Sequence, residues 1–376
     1  MTTALPEIAA TVTHSYGSYP IYSDWDLLDS VGSQLLELGL TGPVYIISDD
    51  RVFPLHGRRV QRSCQVSRIE AHCFIVPAGE PSKSLELSEA IYSWLAERKA
   101  ERGHGVLAVG GGVVGDLAGF VSATFLRGMP LVQVPTSMAA MVDASIGGKV
   151  AVNLPHGKNL VGSFYQPRAV VADPSALVTL GKRELAEGWA EAIKAAFILD
   201  PGLLDIFEEH AEDLMALEPE VSLQVIRRSI AIKAGIVTED ERETLGRRIL
   251  LNYGHTVGHA LEASTGYGRY MHGEGVSVGM MAAAFISYHM GLLSEEVFHR
   301  QQRLLQRFDL PLTAPDGEPE LVLQTMSMDK KTVAGSIRWV LLENVGKTAV
   351  RRDVPPELVE TAVRTFVGRD ATGRLS

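Results

Sequence analysis

The chain has 376 residues, of which 46% are hydrophobic and 21% are charged, with a formal net charge of −10. This is the composition of an ordinary globular protein, and at about 100–200 residues per domain the length suggests two domains. The negative charge argues against a general nucleic-acid-binding protein. The chain has only two cysteines, Cys64 and Cys73, so we expect no disulfide framework and a reducing, cytoplasmic compartment.

The sequence also gives no sign of membrane association. Its N-terminal segment lacks a basic region followed by a long apolar run, so we expect no secretory signal. No uninterrupted apolar stretch reaches the length of about 18 residues that a membrane-spanning helix needs. We therefore expect a cytoplasmic enzyme or binding protein without a membrane partner.

The first half of the chain alternates predicted strands and helices. Short apolar runs predict strands at 43–50, 105–112, 129–137 and 169–177. Apolar residues at helical spacing predict a helix at 87–101. Strands that alternate with helices are typical of a mainly parallel sheet with helices on its faces.

The second half changes to helical patterns from about Lys182 onward. Apolar residues with a period of about 3.6 predict helices at 184–199, 220–237, 275–293 and 356–367. The change of pattern lies near residue 180. We therefore expect an α/β domain at 1–180 and a mainly α-helical domain at 181–376.

A glycine-rich turn follows the predicted strand at 105–112. The segment GVLAVGGGVVGDLAGF places Gly110, Gly112 and Gly115 as GxGxxG before Asp116. Such glycines let the backbone approach a pyrophosphate, whose charge the following helix N-terminus favours. The alternative interpretation is that the glycines serve tight packing of the strand against the helix.

The position of this turn departs from the usual Rossmann pattern, in which the glycines follow the first strand and an acid comes about 20 residues later. Here other strands precede the turn, and Asp49, at the end of an earlier strand, is the better candidate to bind a ribose. The loop GEPSKS contributes Glu80 and Lys83. That loop could also be a simple solvated turn.

Polar residues are dense among the glycines between Arg127 and Asn159. A predicted strand ends in Thr136 and Ser137, and the following segment supplies Asp143, Lys149, Asn153, Lys158 and Asn159. Lysines beside Gly-Gly and Pro-His-Gly turns suit a phosphate or carboxylate ligand. Each lysine alone is more commonly a surface charge, but together they predict an anion-binding site.

Three histidines lie between residues 255 and 272. His255 and His259 are four residues apart and share a helix face. The spacing matches the HExxH zinc proteases, but Thr256 stands where their glutamate would be. His272 and Glu191 are two further candidates, and two of the three histidines together with the carboxylate could hold a catalytic zinc ion. A lone histidine is more commonly structural, so the spacing alone leaves both interpretations open.

Blocks spread from about Ser18 to Gly368 resemble the 3-dehydroquinate synthase family of sugar phosphate cyclases. The resemblance rests on GGGVVGDLAGF, VDASIGGK, RELAEGWAEAIK, DERET, LLNYGHTVGHALEASTGYG, MHGE and MDKKTVAGSIR. It implies a Rossmann-like NAD-binding domain followed by a mainly α-helical domain that binds metal and substrate. It also implies NAD and a divalent metal as cofactors, typically zinc with cobalt possible, and a homodimer.

The resemblance also assigns residues to roles. The implied metal ligands are Glu191, His255 and His272. The implied NAD-binding residues are Asp49, Glu80, Lys83, Gly111, Gly112, Asp116, Thr136, Ser137, Lys158 and Thr179. The implied catalytic residues are Lys149, Lys194, Lys233, Arg248, Asn252 and His259, the last near the substrate phosphate. The implied substrate-binding residues are Arg127, which reaches into the neighbouring subunit's site, and Asp143, Asn159, Lys330 and Lys331.

Some positions depart from the family pattern. The usual VPTT is VPTS here, which keeps a hydroxyl, and AEVIK is AEAIK. The segment ETLGRRILLN is one residue longer than usual, so Arg247 or Arg248 could face the substrate, and spacing to Asn252 favours Arg248. The sequence does not distinguish Lys330 from Lys331 as the residue that faces the substrate.

The implied reaction converts 3-deoxy-D-arabino-heptulosonate 7-phosphate to 3-dehydroquinate and phosphate, through transient oxidation by NAD, phosphate elimination, re-reduction and aldol cyclisation. One alternative is a related cyclase that acts on sedoheptulose 7-phosphate or glucose 6-phosphate, which lack a carboxylate. A second is a metal-dependent polyol dehydrogenase. A third is a non-enzymatic nucleotide-binding regulator, which would have broken metal ligands, whereas all three candidate ligands are present.

Overall fold

The computed structural model describes residues 7–332 and 337–368, without the side chains of residues 329–332. Its strands are, in chain order, β1 (Ile8–His14), β2 (Gly17–Ser23), β3 (Val44–Asp49), β4 (Ala71–Val76), β5 (Gly105–Gly110), β6 (Leu131–Pro135), β7 (Lys149–Leu154), β8 (Gly157–Phe164), β9 (Ala169–Ala172), β10 (Trp339–Asn344) and β11 (Lys347–Arg351). Its α-helices are α1 (Val31–Glu37), α2 (Arg58–Val66), α3 (Leu85–Glu97), α4 (Gly112–Thr124), α5 (Lys182–Leu199), α6 (Pro201–Glu209), α7 (Ala211–Met215), α8 (Pro219–Glu239), α9 (His255–Ser264), α10 (His272–His289), α11 (Glu295–Arg307), α12 (Pro319–Thr332) and α13 (Pro356–Phe366).

The described residues form two compact units. The first unit comprises the described residues up to Leu180 together with Pro219–Arg242. The second unit comprises Gly181–Glu218 and the described residues from Glu243 onward.

The first unit contains a seven-stranded sheet in the order β1-β2-β9-β6-β5-β3-β4. Strands β1 and β2 form an antiparallel hairpin, and the other neighbours are parallel. Strands β3, β5 and β6 are buried at every residue, as expected for parallel strands covered on both faces. The four predicted strands are confirmed as β3, β5, β6 and β9, and the predicted helix is confirmed as α3. The strand predicted at 169–177 is shorter than expected, because β9 ends at Ala172 and a 3-10 helix follows at Pro174–Thr179.

The strand order reverses at β3. The chain passes from β3 outward to β4, then returns to the opposite side of β3 to form β5. Parallel sheets bind ligands beyond the carboxyl ends of the strands at such a reversal. Ser48 pairs with Val109 across β3 and β5, so the carboxyl ends of these two strands lie side by side.

Helix α8 lies in the first unit, although the expected boundary put residues 181–376 together in the second domain. Two hydrogen bonds between α8 and the β1–β2 hairpin explain the difference. The backbone N–H of Thr13 in β1 donates to Thr238 Oγ1 at 3.1 Å, and Arg227 Nε donates to the carbonyl of Ser23 at 2.9 Å. A helical pattern in the sequence does not say which unit the helix packs against.

The second unit is mainly helical and also contains the β10–β11 hairpin. Helix α10 is buried along most of its length. Trp189, Phe207 and Phe308 pack edge to face, with ring centroids 5.4–6.1 Å apart. The predicted helices are confirmed as α5, α8, α10 and α13. Among the described residues, no helix is both long and apolar enough to cross a membrane.

Candidate functional site

The glycine turn lies at the reversal point of the sheet. Strand β5 ends at Gly110 and helix α4 begins at Gly112. Asp49 ends the neighbouring strand β3, and its Oδ1 accepts the backbone N–H groups of Arg51 and Val52 at 2.9 and 2.8 Å. These bonds hold the carboxylate at the carboxyl end of β3, and the adjacent strand β5 leads into a helix N-terminus that favours anions.

The glycines of this turn serve two different purposes. A Cβ on Gly110 would lie 2.6 Å from the Cβ of Val114, and one on Gly115 would lie 2.9 Å from a side-chain oxygen of β6. Those two positions are glycine because the protein itself packs there. At Gly111 and Gly112 a Cβ would meet its nearest atom at 3.5 Å, an ordinary contact. Packing does not demand glycine at these two positions, whereas a ligand that approaches the backbone would.

Lys83, which is buried, forms an ion pair with the half-buried Asp116 near the start of α4. Burial raises the pKa of Asp116 to about 6, and the nearby charge of Lys83 opposes part of that rise. Both residues were predicted to bind the cofactor. The pairing brings the loop after β4 next to helix α4.

Asn153 joins several of the predicted residues. Its Nδ2 donates to Glu80 Oε1 at 2.7 Å, and its Oδ1 accepts the backbone N–H of Asn159 at 2.9 Å. Lys158 Nζ lies 3.6 Å from the same oxygen of Glu80. Asn153 has no individual role assigned from the sequence, since its importance depends on Glu80, which is distant in the chain.

The predicted anion-binding residues of the first unit lie on several elements. Lys233 on α8 is buried and forms an ion pair with Asp143. Lys149 begins β7 and is exposed. Asn159 has a left-handed backbone, with φ of 58°, which asparagine adopts more readily than most residues.

Among the other predicted residues, Thr136 and Ser137 lie beside the glycine turn, whereas Thr179 and Arg127 lie on other segments. The N–H of Thr136 donates to the carbonyl of Gly110 at 3.0 Å, and the hydroxyl of Ser137 faces Gly111. Thr179 Oγ1 lies 2.8 Å from Nε2 of His56, which is buried in a short helical turn before α2. Arg127 has a left-handed backbone, with φ of 64°.

In the second unit, glycines bring helices α9 and α10 into backbone contact. A Cβ on Gly279 would lie 1.8 Å from the carbonyl oxygen of Gly254, and one on Gly258 would lie 2.8 Å from that of Gly275. No larger residue fits between the helices at these positions. The close approach places the histidines of α9 next to the first residue of α10.

The three histidines form a group whose ligand atoms all lie within 4.8 Å of one another. Glu191 on α5 makes a tighter set, because its Oε1 lies 3.4 Å from Nε2 of both His255 and His272. This oxygen is buried and has no hydrogen-bond partner among the described residues. With metal–ligand bonds of about 2.0–2.2 Å, ligand atoms at tetrahedral zinc lie about 3.3–3.5 Å apart. The residues therefore fit a divalent metal, while His259 is the more exposed of the three histidines.

The opposite ring nitrogens of the two histidines are also anchored. His255 Nδ1 lies 3.1 Å from the carbonyl of Tyr253, and His272 Nδ1 lies 3.1 Å from Glu262 Oε2. Acceptors at Nδ1 keep the proton there and leave Nε2 free to bind a metal. Glu262 was not predicted from the sequence, although its position one helical turn after His259 was a usable signal.

The MHGE motif fixes the first turn of α10. Glu274 Oε2 accepts the backbone N–H of Met271 at 2.8 Å, and both oxygens of Glu274 bind the guanidinium of Arg183 at 2.5 and 2.7 Å. The N–H of Gly273 donates to Glu187 Oε2 at 2.9 Å, and a Cβ here would lie 1.8 Å from the Glu187 carbonyl oxygen. The glycine and the acid of the motif thus position its histidine.

Lys194 orients the candidate carboxylate ligand. It is almost fully buried, and its Nζ donates to Glu191 Oε2 at 2.5 Å and to the carbonyl of Leu251 at 2.6 Å. These bonds occupy one carboxylate oxygen and direct the other toward the histidines.

The charges of this cluster suit metal binding. Burial acts to raise the pKa of Glu191, but Lys194, His255 and His272 outweigh it and hold that pKa well below its usual range. Burial and Lys194 lower the pKa of His255. Burial opposes the protonation of His272, yet Glu191 and Glu262 raise its pKa to about 10. A cation bound between these residues would take the place of the Nε2 proton of His272.

The two candidate arginines before α9 differ in their burial. Arg248 is 2% exposed and its Nε lies 3.5 Å from Glu243 Oε1, whereas Arg247 is exposed. Asn252 ends the same short 3-10 helix and is exposed. The side chains of Lys330 and Lys331 lie outside the described residues.

Solved structures first define the class of this protein. It matches 2-epi-5-epi-valiolone synthase from Streptomyces hygroscopicus, solved with NAD+ and Zn2+, with a TM-score of 0.86 and 28% identity over 97% of this chain and 99% of that one. It matches 2-deoxy-scyllo-inosose synthase, solved with carbaglucose-6-phosphate, NAD+ and Co2+, with a TM-score of 0.85 and 27% identity over 94% and 99%. A glycerol dehydrogenase from Sinorhizobium meliloti shares the fold alone, at a TM-score of 0.65 and 16% identity over 91% of this chain and 94% of that one. The fold is therefore that of the sugar phosphate cyclases.

Family models and curated relatives narrow this class. The model of the 3-dehydroquinate synthase N-terminal region matches residues 73–187, and that of the C-terminal region matches residues 188–332. The 3-dehydroquinate synthase of Desulforamulus reducens is 44% identical over 90% of this chain and 94% of its own. That of Symbiobacterium thermophilum is 45% identical over 91% and 96%. The chain belongs to the 3-dehydroquinate synthase family.

Proposed function

We propose that the protein converts 3-deoxy-D-arabino-heptulosonate 7-phosphate to 3-dehydroquinate and inorganic phosphate, a carbon–oxygen lyase reaction of the shikimate pathway. Family membership over nearly the whole chain supports this. The observation that carries it is the 3.4 Å spacing of Glu191 Oε1 from Nε2 of both His255 and His272. This spacing suits a metal site with an open position for substrate oxygens.

Two bound groups supply what the side chains cannot: a divalent ion, zinc or cobalt, polarises substrate oxygens, and NAD accepts and returns a hydride. Glu191, His255 and His272 would hold the ion. The NAD-binding residues would be Asp49, Glu80, Lys83, Gly111, Gly112, Asp116, Thr136, Ser137, Lys158 and Thr179. The NAD+ and Zn2+ in the structure of 2-epi-5-epi-valiolone synthase support both cofactors.

The substrate carries a phosphate and a carboxylate, and each needs cationic partners. In the first unit we assign Lys149, Lys233, Asp143 and Asn159 to substrate contacts. In the second unit we assign Lys194, Arg248, Asn252 and His259, together with Lys330 or Lys331. The burial of Arg248 and Lys233 supports these roles, because charges in a less polar environment interact more strongly with a bound anion.

His259 is suited to a proton-handling role near the departing phosphate. Desolvation by nearby protein atoms lowers the pKa of His259 below the usual value although its side chain is exposed, and His272 contributes to that fall. A neutral imidazole can donate one hydrogen bond and accept another, so His259 can bind a phosphate oxygen without becoming a fixed charge.

The test is to measure inorganic phosphate release by the purified protein with zinc, NAD and the heptulosonate phosphate, while absorbance reports NADH. We expect phosphate release without NADH accumulation, loss of activity with chelator, and recovery when zinc is restored. Turnover of sedoheptulose 7-phosphate alone would contradict the proposed substrate. Steady accumulation of NADH would indicate a dehydrogenase instead.

We also propose a homodimer in which Arg127 completes the neighbouring subunit's site. The test mixes two inactive variants, Arg127→Ala and His272→Ala, after measuring the mass of the wild-type assembly in solution. Hybrid dimers should recover activity, because one of their two sites would have every residue intact. Mixtures that stay inactive despite subunit exchange would show that Arg127 acts within its own subunit or not at all.

We place the reaction in the cytoplasm. Cys64 and Cys73 are free thiols, and burial raises their pKa values to about 12 and about 11. Two cysteines that form no disulfide fit a reducing compartment.

A further inference from the structure

The two candidate histidine ligands are anchored by different kinds of acceptor. A neutral backbone carbonyl, that of Tyr253, lies 3.1 Å from His255 Nδ1. A carboxylate oxygen of Glu262 lies 3.1 Å from His272 Nδ1. Glu262 is 8% exposed and lies on α9, whereas His272 begins α10. No role follows for Glu262 from the family resemblance.

The acceptor at Nδ1 affects what Nε2 can do. A carboxylate attracts the Nδ1 proton more strongly than a carbonyl does, because the hydrogen bond is charge-assisted. The imidazole then carries more electron density at Nε2 and binds a cation more tightly. The bond also fixes the ring plane, and for His272 that plane directs Nε2 to a point 3.4 Å from Glu191 Oε1.

We infer that Glu262 is a positioning residue that holds His272 in the Nδ1–H form and makes it the stronger of the two histidine ligands. This inference rests on the proposed metal site, and it adds a residue that does not itself touch the metal. Loss of such an outer partner commonly costs about 10–100-fold in metal affinity.

A purely structural role is the competing explanation. Helices α9 and α10 touch closely, and a Cβ on Gly275 would lie 3.4 Å from Glu262 Cγ. Glu262 could therefore serve only the packing of these helices. The two roles differ in the metal-free protein, because a packing role persists when the metal is absent and a positioning role does not.

The experiment compares Glu262→Gln and Glu262→Ala with the wild type, with Glu296→Gln as a control that removes an exposed negative charge. Zinc affinity is measured by competition with a chromogenic chelator. The visible spectrum of the cobalt-loaded protein reports the ligand field. Thermal unfolding is measured with and without excess chelator.

We expect zinc affinity to fall about 10-fold in Glu262→Gln, which keeps an acceptor without the charge, and about 100-fold in Glu262→Ala. The cobalt spectrum should shift in both variants, and Glu296→Gln should match the wild type. Unfolding of the chelated Glu262→Gln protein should match that of the chelated wild type. Unchanged zinc affinity in both variants would overturn the inference, as would equal destabilisation of Glu262→Gln with and without metal.

The same data separate this inference from the proposed function. If the wild type binds no zinc, or His272→Ala binds it normally, the proposed metal site fails. If the wild type binds zinc, His272→Ala does not, and both Glu262 variants bind like the wild type, only the role of Glu262 fails.

Discussion

The candidate cofactor site and the candidate metal site are built in different ways. The cofactor residues lie mostly at the ends of strands and in the loops after them, from Asp49 to Thr179. The metal ligands lie on three helices, α5, α9 and α10, and two of those helices touch through glycines. A metal ion needs its ligands placed within about 0.2 Å, whereas an extended dinucleotide needs a long accessible backbone surface. Rigid helix contacts thus provide the precision that a metal site needs, and the carboxyl ends of the strands provide the surface that a dinucleotide needs.

The largest expected effect comes from removing a metal ligand. His272→Ala should abolish zinc binding and lower phosphate release by more than about 100-fold, beyond the cost of losing an orienting partner. NAD affinity should change little, because the NAD-binding residues belong to the other unit. Metal analysis and fluorescence titration with NAD check both parts. Normal zinc content would remove His272 from the ligand set.

The contact between α9 and α10 gives the next largest effect. Gly279→Ala would put a Cβ 1.8 Å from the carbonyl oxygen of Gly254, and we expect a loss of about 3 kcal/mol or more in the free energy of unfolding. Zinc affinity should fall with it, because the histidines would move apart.

Gly235→Ala on α8 is the matched control for that substitution. Gly235 is exposed, and its Cβ would meet no atom within 4 Å, so this variant should gain about 0.5–1 kcal/mol from helix propensity. Denaturant unfolding measures both variants. Equal stability of the two would contradict the idea that glycine contact builds the metal site.

Arg248 tests how the second unit recognises an anion. Arg248→Ala should raise KM for the heptulosonate phosphate about 10–100-fold, since a hydrogen bond to a charged group contributes about 1.5–3 kcal/mol. Arg247→Ala is the control, and it should leave KM nearly unchanged because Arg247 is exposed. Steady-state kinetics decide between them. A larger effect from Arg247 would mean that the register before Asn252 is wrong.

The smallest expected effect comes from the glycine turn at the carboxyl ends of the strands. Gly112→Ala should weaken NAD binding about 10-fold, or about 1.4 kcal/mol, with little change in stability, because its Cβ meets the protein only at 3.5 Å. Gly119→Ala in the same helix should do the reverse, since its Cβ would lie 2.3 Å from Val150 Cγ1. Calorimetric titration with NAD and thermal unfolding separate the two outcomes.

The sequence predicted the elements whose signals are local. Strands β3, β5, β6 and β9 are continuous apolar runs, and α5, α10 and α13 have strong helical periods, so neighbouring residues suffice to predict them. The hairpin β7–β8 was missed, because β8 is mostly exposed and lacks an apolar run. Helix α8 was predicted as a helix but assigned to the other domain, since its partners in β1 are more than 200 residues away.

The residues of the candidate sites also divide into those that were predicted from the sequence and those that were not. The family pattern suggested Glu191, His255 and His272, and these residues lie together. Glu262, the carbonyl of Tyr253 and Asn153 were given no role, because each acts through a hydrogen bond to a residue on another segment or through its backbone. Residue type and spacing carry little information about such contacts.

The return of Pro219–Arg242 to the first unit has a consequence for biosynthesis. Residues up to Leu180 leave the ribosome without the helix that hydrogen-bonds to β1, and without Lys233, the partner of Asp143. At about 5–20 residues per second, the missing segment follows roughly 3–12 s later. During that interval the nascent sheet has an uncovered flank, and the intervening residues 181–218 are already emerging. The first unit therefore finishes folding only while the second is being made, so the order of translation couples the assembly of the two sites.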